Sequence, residues 1–398
     1  MSTNVLSILG VSTKEDVISN LLRYCIEASP AFRDAFLVNI CRVPLPFGRS
    51  ARVRALTRVA TDASGIPDLI IAAETPGGKY LVVLENKLKA DEGDDQTVRY
   101  SSRDCVEDVK RRVGWSGITV AESFVFLTLF PDQQPAADAF RRTTYQNLLD
   151  VMQTIPRPID DPMAELLLDS WRALLEQFYS KAHAHNEDLL LARLQEADPL
   201  EGNYLYFKSF VDGLALPHDL TVEYSFRSSA KGRRYFGAVI SKPSWHPSEM
   251  QQVDGQWQFD EIRHFNIHFE PQFHYLKGIL ELYLHYEVNP YQTVEWVRAN
   301  IDPSAYQAYG RVRESFVREL EARRVPDLTL GGRSNQIAKA QLRLASTTVH
   351  AARESISAFV DEVGAHVDAI LSRRATGVES MQEAEQNAPA NAQEDARA

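Results

Sequence analysis

The feature that most narrows the fold of this chain is a pair of apolar runs hinged on a four-residue turn. Asp68-Leu-Ile-Ile-Ala-Ala-Glu74 and Lys79-Tyr-Leu-Val-Val-Leu-Glu85 flank Thr75-Pro76-Gly77-Gly78. Runs of this length, rich in β-branched residues and bounded by Pro and Gly, read as strands of a hairpin. The second is apolar enough to be buried on both faces. Pro76-Gly77 sits where a type II turn takes its central residues. If Thr75 pairs with Gly78, paired residue numbers sum to 153, and Asp68 falls opposite Glu85. Directly opposed side chains have Cβ atoms about 4.5–5.5 Å apart, and like charges so placed repel. A divalent cation with oxygen ligands would reconcile them. Strand side chains alternate faces, so Lys87 shares the face of Glu85.

Around this hairpin the periodicity predicts an α/β unit. Ser12-Thr13 offers a hydroxyl N-cap, Glu15 and Asp16 suit the first turn, and Val17, Ile18, Leu21, Leu22 and Cys25 recur at helical spacing. A short helix is expected over 31–39 and a strand over 51–61. A single helix is expected over 95–113, stopping near Gly114, then a strand over 123–130 stopped by Pro131. Helices follow from Thr144 and from about Met163 to His185. The order is helix, three strands, helix, strand.

Composition changes after residue 200. Alternating aromatic-rich segments at 220–226, 235–240, 265–269 and 280–286 predict an antiparallel-rich α+β module, with helices over 304–324 and 336–372. Residues 375–398 carry five acids against Arg397 and no aromatic residue, which predicts disorder. The expected division is therefore a core at 1–155, a helical connection at 156–199, a module at 200–374 and an acidic tail.

The pair Pro67-Asp68, sixteen residues, and then Glu85-Asn86-Lys87 resembles the PD-(D/E)XK nuclease motif. The helix and strand order is similar to the restriction-endonuclease-like core of that superfamily (αβββαβ, a central mixed sheet flanked by helices). Gln96 with Tyr100 resembles its QxxxY element, and Glu15 its helix-borne acid, with Asp16 the rival by one residue. Thr144-Tyr145 with Leu148-Leu149 also fits. The resemblance covers about residues 10–155. It implies phosphodiester hydrolysis with Mg²⁺, for which Mn²⁺ would substitute. Asp68, Glu85, the carbonyl of Asn86 and Glu15 would hold the ion. Lys87 would act on the attacking water, and Gln96 would brace the site. The implied substrate is nucleic acid, DNA ahead of RNA, with defence against phage or other foreign DNA as the role. The rival readings are a silent nuclease-fold scaffold that binds nucleic acid or a protein, and an RNA-directed nuclease. A homodimer or a partner protein fits the resemblance, but no residue here specifies either.

Other signals are weaker. The formal net charge of -11 argues against coating of nucleic acid, although the tail contributes -4 of it. Arg49, Arg52, Arg54 and Arg58, and separately Arg99, Arg103 and Lys110, could track phosphates, but solvated faces are the commoner explanation. Lys231, Arg233 and Arg234 read as a hairpin tip. His264, His268, His274 and His285 lack metal-site spacing and read as half-buried histidines. Trp245 and Trp257 read as packing residues, and Gly331-Gly332-Arg333 is too short for a phosphate loop. Three cysteines make no disulfide framework or zinc site and suggest a reducing, cytoplasmic setting. No stretch predicts a transmembrane helix, and the first sixteen residues predict no signal peptide.

Overall fold

The computed structural model of the chain describes residues 4–12, 14–45, 51–62, 65–88, 92–93, 95–131, 133–180, 182–190, 200–228, 234–260, 263–274, 277–323, 329–330, 336–343 and 346–386. The chain forms two compact units, Met1–Lys181 with Pro199–Leu205, and Ala182–Asp198 with Tyr206–Ala398.

The first unit opens with helices α1 (Val5–Ile8), α2 (Glu15–Ala28) and α3 (Pro30–Ala35), the last running into a π-helical turn at Phe36–Ile40. Strands β1 (Arg52–Thr57), β2 (Leu69–Thr75) and β3 (Gly78–Lys87) follow, then α4 (Gln96–Tyr100), α5 (Arg103–Val113), β4 (Ala121–Thr128), β5 (Phe140–Thr144), α6 (Tyr145–Thr154) and α7 (Pro162–Ser180). The strands make one mixed sheet in the order β1-β2-β3-β4-β5. β1, β2 and β3 are antiparallel neighbours, while β3, β4 and β5 run parallel.

The hairpin register is the one the turn dictates: Thr75 pairs with Gly78 and Leu69 with Leu84. The turn is not type II, however. Positive φ falls on Gly78 (136°) and not on Gly77, where a type II turn requires it. The Thr75 hydroxyl secures the corner, accepting from Gly77 N at 3.1 Å and donating to the Gly78 carbonyl at 3.1 Å.

β3 is buried from Leu81 through Lys87, because helices cover both of its faces. Leu81 and Val83 pack with Ile70 and Ala72 against Tyr100, Cys105, Val106, Val109 and Val113 of α4 and α5. On the opposite face, Asn86 meets α2 and α6. Its Nδ2 donates to Ser19 Oγ (3.1 Å) and to the Glu15 carbonyl (3.2 Å), and its Oδ1 accepts from the Tyr145 hydroxyl. Tyr145 packs edge-to-face on Trp171 of α7, with ring centroids 5.3 Å apart.

Several local expectations are corrected. The N-cap of α2 is Lys14, which makes no side-chain cap bond; Thr13 lies outside the described residues. The helix expected over 95–113 is two helices, because Ser102 caps a fresh start by accepting from Cys105 N. β5 is an additional strand, hidden by its sequence Phe-Arg-Arg-Thr-Thr, whose charges suit a sheet edge. α7 ends at Ser180.

The second unit contains the C-terminal part of α8 (Leu200–Asp212), β6 (Thr221–Ser228), β7 (Arg234–Ser241), β8 (Gln251–Val253), β9 (Gln256–Gln258), β10 (Phe265–His274), β11 (Ile279–Val288), α9 (Val294–Asn300), α10 (Pro303–Arg323), β12 (Thr329–Leu330), β13 (Gln336–Arg343) and α11 (Val349–Gln386). Its main sheet has the order β12-β13-β11-β10-β7-β6, and every pairing in it is antiparallel. The apolar face packs on helices: Phe207 and Phe210 on Phe273, Tyr309 and Phe316 on Tyr286, and Phe359 on Phe269. Trp245 is buried in this core, and Trp257 packs on Trp296.

The helix expected over 336–372 starts only at Val349. Gln336–Arg343 is rich in helix formers, yet pairing with β11 makes it a strand. α11 continues to Gln386, past the expected start of the tail at 375; residues 387–398 lie outside the described residues. No helix among the described residues is long and apolar enough to cross a membrane.

Asn86→Ala should lower the unfolding free energy of the first unit by about 3 kcal/mol. It strips partners from the buried Tyr145 hydroxyl and Ser19, and a buried orphaned polar group costs about 1–3 kcal/mol. Urea denaturation followed by circular dichroism measures it, and a change under ~0.5 kcal/mol would remove Asn86 from this role.

Candidate active site at the end of strand β3

The C-terminal end of β3 carries Glu85 and Lys87 on the face that packs against α4 and α5. Both are almost wholly buried, at 2% and 5% exposed. Lys87 Nζ lies 2.8 Å from Glu85 Oε1 and donates to Gln96 Oε1 at 2.9 Å. Gln96 is the first residue of α4. Its Oε1 also accepts from Gly93 N (2.9 Å), and its side chain reaches the Tyr100 hydroxyl, which itself donates to the Ile66 carbonyl at 3.2 Å. The QxxxY spacing thus places both polar groups of one helical turn toward the same strand end.

Asp68 immediately precedes β2, one step beyond the Leu69–Leu84 pair. Its Oδ2 accepts the Asn86 backbone N–H at 2.8 Å. Glu15, at the start of α2, sends Oε1 to the backbone N–H of Leu88 at 2.8 Å. Asp16 instead pairs with Arg58 at 3.1 Å, so of the two neighbouring acids it is Glu15 that reaches the end of β3. Asn86 turns its side chain to the opposite face, leaving only its main chain on the side of a candidate ion. Asp68, Glu85, Lys87, Gln96 and Glu15 are therefore all held at one strand end.

The electrostatics follow from burial. Desolvation raises the Asp68 carboxyl to about 6, against the Asn86 N–H and Lys87, which favour its charged form. Desolvation, followed by the nearby Asp68, raises Glu85 to about 8, and Lys87 opposes this only in part. Burial would lower the Lys87 ammonium, but Glu85 outweighs it and the net shift is upward. The direction common to the pair is that Lys87 stays charged while Glu85 resists ionisation. Burial in a crowded acidic corner costs the carboxylate more than one ammonium returns.

A divalent cation fits this chemistry. Glu85 Oε2 is buried and has no hydrogen-bond partner, an arrangement costly without a ligand. Asp68 and Glu85 supply the hard oxygen donors that Mg²⁺ prefers. Among the described residues, though, the trio of ligating side chains whose donor atoms all lie within 4.8 Å of one another is His268, His285 and Glu287 in the second unit, not the three acids here.

One positioning residue escaped the sequence reading. Glu92 Oε1 accepts from Thr97 N and Thr97 Oγ1, both at 2.6 Å, and its Oε2 accepts from Ala136 N at 2.7 Å. It fixes the start of α4 and hence Gln96. An acid just ahead of a helix was the available signal. Ser19, one turn after Glu15 on the same helix, holds the Asn86 side chain by accepting from its Nδ2.

The basic stretches disperse. Arg52 and Arg54 are exposed on the edge strand β1, but Arg58 lies beyond its end, at φ 54°, paired with Asp16. Arg99 and Arg103 stand on different helices, and Lys110 is buried against Glu107 at 2.8 Å. Arg49, Lys231, Arg233 and Gly331-Gly332-Arg333 lie outside the described residues. The chain matches no protein-family model, no curated protein and no solved structure.

Because the folded pKa values of Asp68 and Glu85 lie above the unfolded ones, the native state holds extra protons between about pH 4 and pH 8. Their contribution to stability is full below that window and is lost as pH rises through about 6 and then 8. In EDTA, calorimetry should show Glu85→Gln gaining on wild type in melting temperature from pH 5 to pH 9. A constant gap, or one that narrows, would contradict the raised carboxyl.

Proposed function

We propose that the first unit is a metal-dependent PD-(D/E)XK nuclease that hydrolyses phosphodiester bonds, in DNA ahead of RNA, and that its sheet and helices are the restriction-endonuclease-like core. The observation that carries this reading is the buried Glu85-x-Lys87 pair beside Asp68, with Glu85 Oε2 lacking any hydrogen-bond partner. A surface salt bridge would need neither the burial nor the second acid.

Asp68, Glu85, the Asn86 carbonyl and Glu15 are the residues that would hold Mg²⁺ or Mn²⁺. Bound there, such an ion would supply Lewis-acid activation of the attacking water and offset charge on the phosphate. The protein's own groups do the rest. Lys87, kept protonated by Glu85 and aimed by Gln96 Oε1, orients the attacking water and adds positive charge where the transition state develops negative charge. Tyr100 and Glu92 keep α4, and through it Gln96, in place. Arg52 and Arg54 on the edge strand offer exposed cations for backbone phosphates.

One observation favours the silent-scaffold reading. Lys87 closes directly on Glu85 at 2.8 Å, and the pair would hold the strand end with no ion at all.

The test incubates the full chain with plasmid, linear duplex, single-stranded DNA and RNA in Mg²⁺, Mn²⁺ or EDTA. Cleavage should require a divalent ion. It should fall about 10²-fold or more in Asp68→Ala and in Lys87→Ala, the scale of losing one preorganised charge-stabilising group. Identical trace cleavage by wild type and both variants would reject the enzyme. Mg²⁺ should also raise the melting temperature of wild type more than that of Glu85→Ala, since a ligand of the native state stabilises it. A shift without cleavage would favour the scaffold.

A further inference from the structure

The main sheet of the second unit has two dissimilar faces. Along β10 and β11 the residues Ile267, Phe269, Leu284 and Tyr286 enter the apolar core. Their alternates are Asn266, His268, Glu270, Gln272 and His274 on β10, and Glu281, Tyr283, His285 and Glu287 on β11. A sheet face this polar is ordinarily solvated. Here His268 is 5% exposed, Glu270 4% and Glu287 9%.

The two ends of this face are built differently. At one end Glu281 accepts from Tyr283 (2.6 Å), pairs with His274 at 3.0 Å and pairs with Lys339. One carboxylate there meets three donors, as expected of a purely structural buried acid. At the other end two carboxylates surround one imidazole. Glu270 Oε2 lies 3.3 Å from His285 Nε2, and Glu287 Oε1 lies 3.4 Å from His285 Nδ1. Neither His285 nitrogen completes a well-directed hydrogen bond with them. His268 is registered directly opposite His285, and the two rings stack at 5.1 Å with an interplanar angle of 12°. The donor atoms of His268, His285 and Glu287 all lie within 4.8 Å of one another.

We propose that His268, His285 and Glu287 form a site for a transition-metal dication of the zinc class, separate in sequence and ligand chemistry from the acids of the first unit. Two imidazoles and a carboxylate are a nitrogen-and-oxygen set suited to Zn²⁺, Co²⁺ or Ni²⁺, whereas Mg²⁺ takes oxygen ligands. β10 and β11 are interior strands, paired on both sides, so the ligands stand on a rigid platform. A dication balances the two carboxylates. With Glu287 beside Nδ1 and Glu270 beside Nε2, one nitrogen of His285 can face the ion while the other holds its proton against a carboxylate. That partnership is the usual way of orienting a metal-bound histidine. The pattern is invisible in sequence spacing, because the histidines come from different strands and meet only through the register.

The experiment uses the full chain carrying Asp68→Ala, so that the first unit contributes no competing acid pair. After EDTA treatment and its removal, Co²⁺ is titrated and followed by visible d–d absorption, with Zn²⁺ as competitor. One equivalent should bind, and Zn²⁺ should displace it. His268→Gln and Glu287→Gln, shown folded by circular dichroism, should each weaken binding at least about tenfold. X-ray absorption of the Zn²⁺-loaded chain, which needs no further variant, should report two imidazole ligands. The absence of a Co²⁺ band, unchanged affinity in both variants, or a Zn²⁺ shell without imidazole would overturn the site. His285 would then be a protonated ring held between two acids.

Discussion

A carboxylate buried at the end of a doubly paired strand governs the first unit. Glu85 sits on β3, which is hydrogen-bonded to β2 on one side and β4 on the other and is covered by helices above and below. Water cannot solvate it there, so it either keeps a proton or has its charge met by the protein or by a ligand. Lys87 meets one oxygen, and Gln96 in turn fixes Lys87. The position of α4, the anchoring of its first turn by Glu92 and the reach of Glu15 from α2 all serve this one desolvated corner. Removing a partner from such a group leaves an uncompensated charge, which costs far more than an exposed ion pair would return.

Much of this corner was legible in the sequence, for a geometric reason. A two-residue turn with fixed flanks sets the register of every pair in the hairpin, and the register alone put Asp68 beside Glu85. Alternation then put Lys87 with Glu85 and Asn86 on the other face. Features set by distant contacts were not legible. β5 reads as a polar loop until β4 is beside it, and Gln336–Arg343 reads as a helix until β11 is. The break between α4 and α5 was written in Ser101-Ser102, but it was masked by helical spacing on both sides. Charge rows drawn along one element, such as Arg52, Arg54 and Arg58, failed where the backbone changed direction at Arg58.

The second unit shows the same principle in another form. Its sheet buries an apolar face conventionally, and its polar face pairs acids with histidines and a lysine across strands and with Tyr283 along β11. By sequence position alone the histidines read as half-buried packing residues. Antiparallel pairing of β10 with β11 sorts them into two groups, His274 with Glu281 and His268 with His285. Chemistry that depends on cross-strand neighbours is stored in the register and not in linear spacing.

The hairpin carries one more consequence, of parity. With a two-residue turn, Asp68 and Glu85 stay opposed only if both strands change length together, so the interval between them can grow or shrink only by even numbers of residues. An odd insertion would offset the two acids by one position and turn one of them to the far face, unless a bulge absorbed the extra residue. Related chains that keep this corner should therefore differ in the interval by two or four residues, with odd differences confined to hairpins that carry a bulge or a longer loop.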